Sequence, residues 1–324
     1  MRKDDWDCGD EACNLPDDIL ASAQALIDPE IRQWLEAVDP PDHVNLTVEQ
    51  ARAPDLHVEE RNVPYGPDGA SMRIVLVRPV AVGRLPIFYY VHGGGYMYGT
   101  PETALRASCE FARHCGCVVA LPTYRLAPQT RFPGAVEDLE RALGWVLDSH
   151  AELNIDPTRL AVGGVSAGGG HAAALVLRLR DRGPSIGFQL LSMPMLDDRT
   201  GASRDPGAIF GQNIWRREQN RTAWEALLGC RPGGEMVDPD SVPARVASVK
   251  GLPPTFVGVG QLDLFARENV EFAMRLMVAG IPTELCVMSG AVHGFDSFVP
   301  DAVVSIAYAR TQQRALSAAF ERMK

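Results

Sequence analysis

The spacing of apolar positions changes several times along this chain, and the changes mark out its elements. "SMRIVLVRPV" (71–80) and "LPIFYYVHGGG" (85–95) are short runs of β-branched and aromatic residues that read as strands. "CGCVVALPTYRLAP" (115–128) supplies another apolar run, which Pro122 ends. In "PGAVEDLERALGWVLDSHAEL" (133–153) the period lengthens: Ala135, Leu139, Ala142, Leu143 and Val146 share one face with charges opposite, which predicts an amphipathic helix. The alternation continues through strand "RLAVGG" (159–164), helix "AGGGHAAALVLRLRD" (167–181) and strand "IGFQLLSMPM" (186–195). It resumes with strand "PTFVGVG" (254–260), helix "RENVEFAMRLMVAG" (267–280), strand "TELCVMSG" (283–290) and a last helix from about 302 to 322. These strands are too apolar to have a wet face, so the pattern predicts an α/β fold with a mostly parallel sheet, helices covering both sides.

Two stretches fall outside this rhythm. "DDILASAQALIDPEIRQWLEAVDPPDH" (17–43) reads as short helices interrupted at Pro29 and closed by Pro40 and Pro41. Residues from about 196 to 245 are rich in Gly, Pro, Trp and charge, and are too long for a plain connection; they predict an inserted lid or cap.

Composition narrows the function. The chain has 324 residues, 46% of them hydrophobic and 22% charged, enough to bury a sizeable core. A formal net charge of −10, with no basic run among aromatics, argues against nucleic acid or an anionic membrane as partner. The opening "MRKDDWDCGDEACN" is charged where a signal peptide needs an apolar core, and no apolar run is long enough to span a bilayer. A cytoplasmic location is the expectation. Seven cysteines cannot all pair, and neither the "CGC" at 115–117 nor Cys8 with Cys13 has zinc-ligand spacing, so free thiols and no metal are expected.

Candidate chemistry enters at "LAVGGVSAGGGHAA" (160–173). A strand runs into a helix with almost nothing between, and Gly164, Ser166 and Gly168 fit G-x-S-x-G, the nucleophile elbow. Glycine two positions either side of the serine lets a tight turn form without side-chain collision. The turn would present Ser166 Oγ at a strand's carboxyl end and set the Ala167 amide at a helix amino terminus, where negative charge is favoured. No Walker A or G-x-G-x-x-G pattern competes. In "YYVHGGGYMYG" (89–99), Gly93, Gly94 and Gly95 follow a strand and form the HGGG-type loop whose exposed amides act as oxyanion donors. Gly94 and Gly95 are the better donors beside Ala167, with Gly93 shaping the turn or donating itself. His92 reads as a brace for that loop.

A serine hydroxyl needs a base and an orienting carboxylate. His43 and His57 lie near the amino terminus, His114 and His150 on helix surfaces, and His171 inside the helix after the elbow. His293, in "MSGAVHGFDSF", sits in the loop after the last strand and fits the chain order Ser, acid, His. Asp263 in "PTFVGVGQLDLFARE" directly follows an apolar strand and is the first choice of carboxylate. Glu268 and Asp296 are runners-up, and Asp197 and Asp198 are weaker. Tyr96, Tyr98, Phe210, Trp215, Phe295 and Phe298 are candidate pocket-lining residues, each weighed against an ordinary core role.

Taken together, "VHGGG", "YRLAP", "GGVSAGGG", "GQLD" and "VHGF" resemble the hormone-sensitive-lipase-like esterases of the α/β-hydrolase superfamily, over roughly residues 60–320. The resemblance implies an α/β-hydrolase fold with a helical cap, built from residues 1–45 and an insertion at about 196–245 within a catalytic domain of 46–324. It implies a cofactor-free serine carboxylesterase for short- to medium-chain acyl esters, with Ser166 as nucleophile, His293 as base and Asp263 as its orienter. It sets Arg125 of "YRLAP" in a buried polar network and allows a homodimer. Amidase, lactonase and transacylase chemistry would use the same residues, and a non-catalytic small-molecule receptor is the rival from another class. Three positions depart from the family's pattern: Val165 stands where Asp often precedes the nucleophile, Gln129 replaces Glu after "YRLAP", and Arg267 stands where a second Asp often follows the triad acid.

Overall fold

The computed structural model describes residues 24–37, 45–64 and 71–324. Numbering helices of eight residues or more, the order is α1 (Pro29–Glu36), β1 (Leu56–Pro64), β2 (Ser71–Pro79), β3 (Leu85–Val91), α2 (Leu105–Cys115), β4 (Val118–Pro122), α3 (Gly134–Asp148) and β5 (Ile155–Val165). There follow α4 (Ala167–Leu179), β6 (Phe188–Ser192), α5 (Arg217–Leu228), β7 (Thr255–Gly260), α6 (Ala266–Val278), β8 (Thr283–Met288) and α7 (Val303–Arg322).

The eight strands form one sheet in the order β1-β2-β4-β3-β5-β6-β7-β8. Pairing is antiparallel for β1 with β2 and for β2 with β4, and parallel from β4 through to β8. Successive side chains on a strand point to opposite faces, so a strand buried on both sides must be apolar throughout. β3 shows this directly. Ile87, Tyr89 and Val91 enter one core with α3, α4 and α6, while Phe88 and Tyr90 enter the other with α2 and α7. Full burial of each such side chain is worth about 1.5–3 kcal/mol, which holds the helices to the sheet.

The chain leaves β3 for β4 on one side and returns as β5 on the other, so the strand order reverses at β3. The carboxyl ends of β3 and β5 therefore open a crevice at the switch point, where sheets of this kind take ligands. Both glycine-rich segments lie there.

Two elements differ from the sequence pattern. Pro29 begins a helix instead of interrupting one: it sits in the first turn of α1, capped by Asp28, whose Oδ1 accepts from the Glu30 amide at 2.9 Å. Edge strand β1 has no sequence signal, because charged Glu59, Glu60 and Arg61 break its alternation while only Leu56, Val58 and Val63 are buried. Residues 17–23 and 38–43 of the expected N-terminal helices, with Cys8, Cys13 and His43, lie outside the described residues. In the 196–245 stretch, α5 and two single-turn 3-10 segments replace regular α/β alternation. Trp224 and Leu227 of α5 pack on Tyr96, Ala127, Ala167, Leu264 and Phe265, over the carboxyl ends of the strands. Among the described residues, no helix is long and apolar enough to cross a membrane.

Candidate active site

The turn between β5 and α4 is forced by close approach. A Cβ on Gly168 would strike the carbonyl oxygens of Val91 and His92, and one on Gly164 would lie 2.8 Å from the Val91 oxygen. Both glycines thus let the β5–α4 turn lie against the end of β3. Ser166 at its apex holds φ 56° and ψ −125°, a left-handed conformation that costs a non-glycine residue about 1–3 kcal/mol. Three backbone bonds hold it there: its amide donates to the Ser192 oxygen at 2.9 Å, and its carbonyl accepts from Met195 at 3.0 Å and Gly170 at 3.1 Å.

Ser166 Oγ lies 2.9 Å from His293 Nε2, and His293 Nδ1 lies 2.8 Å from Asp263 Oδ2. The carboxylate can only accept, so Nδ1 carries the proton and Nε2 is free to accept from the serine hydroxyl. The other oxygen of Asp263 accepts the Phe265 amide at 2.9 Å, which stops the carboxylate from rotating. Asp263 is fully buried, while Ser166 and His293 retain 8% and 7% exposure, enough to meet a small molecule from one side only. Phe265 stands edge-on to the imidazole at 5.1 Å and Trp215 lies 6.4 Å from it. Asp263, which follows β7, and His293, which follows β8, are thus brought with Ser166 into one hydrogen-bonded chain. Phe265 was missed; its only signal was its place two residues after the acid.

Glu268, Asp197 and Asp198 are engaged elsewhere. Glu268 accepts from the amides of Leu196 at 2.7 Å and Asp197 at 3.2 Å and contacts the Thr200 hydroxyl; burial, reinforced by the Asp197 carboxylate, pushes its acid well above the usual range. Asp197 pairs with Arg199 at 2.7 Å and Asp198 with Arg245 at 2.6 Å. Asp296 keeps one buried oxygen without a hydrogen-bond partner.

The glycine loop packs directly on this turn. A Cβ on Gly93 would lie 3.3 Å from the Ser166 Cβ. Gly94 at φ 125° and Gly95 at φ 56° use conformations that suit glycine. The Gly94 carbonyl accepts from Met97 at 3.1 Å and Tyr98 at 2.9 Å, while among the described residues the amides of Gly94 and Gly95 have no backbone acceptor. The Ala167 amide is the first of α4 and has no partner within that helix. His92 braces the loop: its Nδ1 donates to the Gly93 carbonyl at 2.8 Å, and its ring stacks on Tyr124 at 4.4 Å. Burial lowers its pKa to about 4, so it stays neutral. His171 points away from the serine, wedged between Tyr96 and Tyr124, and burial drops its pKa to about 3.

Of the aromatic candidates, Trp215 comes closest to the expectation. Its ring tip abuts Gly95, and its Nε1 donates to Asn220 Oδ1 at 3.2 Å. Tyr98 is exposed and Phe210 half-buried. Tyr96 and Phe295, expected to line a pocket, are core residues: Tyr96 donates its hydroxyl to the Met195 oxygen at 2.8 Å, and Phe295 packs on Tyr308 at 5.2 Å. Phe298 packs against Trp34, the two rings tilted at 34° with centroids 5.1 Å apart. Arg125 makes a two-pronged bond to Asp138, at 2.7 and 2.8 Å, but only the carboxylate is buried, since the guanidinium stays half exposed.

The chain is similar to known proteins in sequence and in fold. A family model described as the alpha/beta hydrolase fold matches residues 88–297. The carboxylesterase NlhH of Mycobacterium tuberculosis is 34% identical over 274 residues, 82% of each chain. The crystal structure of esterase LipW from Mycobacterium marinum superposes with a TM-score of 0.79 at 31% identity, over 92% of this chain and 97% of that one. A bacterial heroin esterase gives a TM-score of 0.78 at 33% identity, over 94% and 98%.

Proposed function

Because the chain belongs to the α/β-hydrolase family, whose model spans residues 88–297, we propose that it is a serine carboxylesterase working through an acyl-enzyme. The observation that carries this reading is the closed relay from Ser166 Oγ to His293 Nε2 at 2.9 Å and from His293 Nδ1 to Asp263 at 2.8 Å, at the tip of a strained elbow. The named esterases among its relatives support it.

His293 takes the hydroxyl proton as Ser166 attacks the ester carbonyl. Asp263 stabilises the imidazolium that forms and keeps the ring in the tautomer that can accept. Negative charge grows on the carbonyl oxygen beside the amides of Gly94, Gly95 and Ala167, with Gly93 holding the loop against the elbow; one such donor is worth about 3–4 kcal/mol of barrier. The imidazolium returns its proton to the leaving alcohol, and water then repeats the sequence on the acyl-serine. Trp215, reaching from the 196–245 insertion to Gly95, is placed to limit acyl length, which fits short- to medium-chain esters. The reading extends to a cytoplasmic enzyme, in keeping with the free thiols of Cys109, Cys115, Cys117, Cys230 and Cys286.

The test is hydrolysis of p-nitrophenyl butyrate with covalent trapping by a fluorophosphonate. Wild type should turn over and carry the label on Ser166, and Ser166→Ala should show neither. Wild-type turnover in Ser166→Ala would end the proposal.

A further inference from the structure

Met195, just beyond β6, carries a bond to each of two segments that meet at Ser166. Its amide donates to the Ser166 carbonyl at 3.0 Å, and its own carbonyl accepts the Tyr96 hydroxyl at 2.8 Å. One residue thus holds the elbow on one side and, on the other, the residue that directly follows Gly93, Gly94 and Gly95. The backbone leading to Met195 is anchored in turn: the Met193 amide donates to the Gly258 oxygen of β7 at 2.7 Å, and Asn269 Nδ2 of α6 donates to the Pro194 oxygen at 2.7 Å. A bond to Met195 is therefore a bond to a fixed point.

Tyr96 reaches that point from a costly conformation. Its φ of 62° is left-handed, which a bulky residue seldom adopts and which persists only where the surroundings over-determine it. Its ring packs on His171 at 4.6 Å and on Trp224 at 5.1 Å, and its carbonyl accepts the Ala127 amide at 2.9 Å. Burial raises the phenol's pKa well above its ordinary value, so the hydroxyl stays protonated and donates. A Cβ on Gly170 would strike both that hydroxyl and the Met195 oxygen, so α4 leaves room for this one bond. Packing asks only for a ring. The hydroxyl adds a fixed distance and direction, which packing does not supply.

We propose that Tyr96 is a positioning residue for the oxyanion donors: its bond to Met195 sets the amides of Gly94 and Gly95 in register with Ser166 and Ala167. The inference rests on the serine-esterase reading. Donors stabilise the tetrahedral oxygen only when about 2.7–3.1 Å from it, so a loop free to drift beyond that narrow range gives up rate while substrate still binds. Tyr96 itself meets no substrate, being 2% exposed with its hydroxyl spent on Met195.

Tyr96→Phe removes the hydroxyl and keeps the ring, and Tyr89→Phe is its matched control. The Tyr89 hydroxyl is also buried and also donates to a backbone carbonyl at 2.8 Å, that of Leu139, on the α3 side of the sheet. Rates for p-nitrophenyl butyrate are expressed per serine titrated with a fluorophosphonate, which removes the folded fraction from the comparison. Tyr96→Phe should lower kcat about tenfold with KM little changed, and should leave the pH at which kcat/KM half-titrates where it is in wild type, because the relay is intact. Tyr89→Phe should lower the urea midpoint, as Tyr96→Phe does, yet keep kcat within about threefold of wild type. A fall in kcat of less than about threefold in Tyr96→Phe, a rise in KM alone, or an equal loss of kcat in Tyr89→Phe overturns the assignment. Any of these with activity that still requires Ser166 leaves the esterase reading standing, whereas turnover in Ser166→Ala removes the reading itself.

Discussion

Replacing Asp263 with asparagine separates the orienting carboxylate from its size. The amide must satisfy two neighbours at once: the Phe265 amide, which donates to one oxygen at 2.9 Å, and His293 Nδ1 at 2.8 Å from the other. The asparagine oxygen can keep the Phe265 bond only by turning its NH₂ toward the imidazole. Nδ1 must then accept, the ring proton moves to Nε2, and Nε2 can no longer take the proton of Ser166. Loss of the correct tautomer, with loss of the charge that stabilises imidazolium, is worth about ten-thousand-fold in kcat, or about 5.5 kcal/mol of barrier. KM should hardly move, because Asp263 is buried behind the ring and touches no substrate. The assay is steady-state hydrolysis of p-nitrophenyl butyrate, with Glu268→Gln as the comparison. Glu268 lies outside the relay, its Oε1 accepting the Leu196 and Asp197 amides, and glutamine keeps an acceptor oxygen in a side chain of the same size, so activity should stay within about threefold of wild type. If Asp263→Asn kept activity within tenfold of wild type while Glu268→Gln collapsed, the identity of the orienting carboxylate would be wrong.

Two further predictions concern stability. Arg125→Ala leaves the fully buried Asp138 carboxylate without its two-pronged partner and should destabilise the fold by about 3 kcal/mol in urea denaturation, the low end for a broken buried pair because the guanidinium is half exposed; an effect under about 0.5 kcal/mol would show that other bonds suffice. His92 and His171 are both held below their ordinary pKa by burial, to about 4 and about 3, so the unfolded chain binds protons that the folded one does not as pH falls below about 6.5. Their stabilising neutrality is complete above that value and is lost progressively below it, by about 2 kcal/mol per histidine at pH 5. Urea midpoints at pH 7.5 and 5.0 measure this, and a His171→Gln variant with the same pH dependence as wild type would exclude the role of that ring.

Much of the site was legible because its chemistry is tied to backbone constraints that few residue types satisfy. Gly164, Gly168 and the triplet from Gly93 to Gly95 are dictated by close approach or by positive φ, so their spacing carries structural information by itself. Asp263 and His293 were legible for a different reason: each follows an apolar strand, β7 or β8, and sheet topology puts all such strand ends on one edge. The aromatic residues were not legible. Tyr96 and Phe295 neighbour the loop and the histidine in sequence, but Tyr96 turns into the cluster beneath α5 and Phe295 into the core with α2 and α7, because a large apolar ring beside a buried strand end gains more by packing than by facing a pocket. Strand β1 was hidden for the opposite reason. As an edge strand with a polar face, it needs few apolar positions, and those few do not stand out.

The arrangement around Ser166 also explains why the fold tolerates it. The left-handed serine, the open amides of Gly94 and Gly95 and the buried Asp263 carboxylate would each destabilise an isolated segment. Here each is held by an element that is stable for other reasons: the serine by bonds to Ser192 and Met195 beyond the neighbouring strand, the glycine loop by the His92–Tyr124 stack, and the carboxylate by the Phe265 amide. None of these three supports touches a reacting atom. Preorganisation of the Ser166–His293–Asp263 relay is therefore a property of the sheet edge, which is why three side chains separated by up to 127 positions along the chain can sit within hydrogen-bonding distance of one another in sequence along the relay.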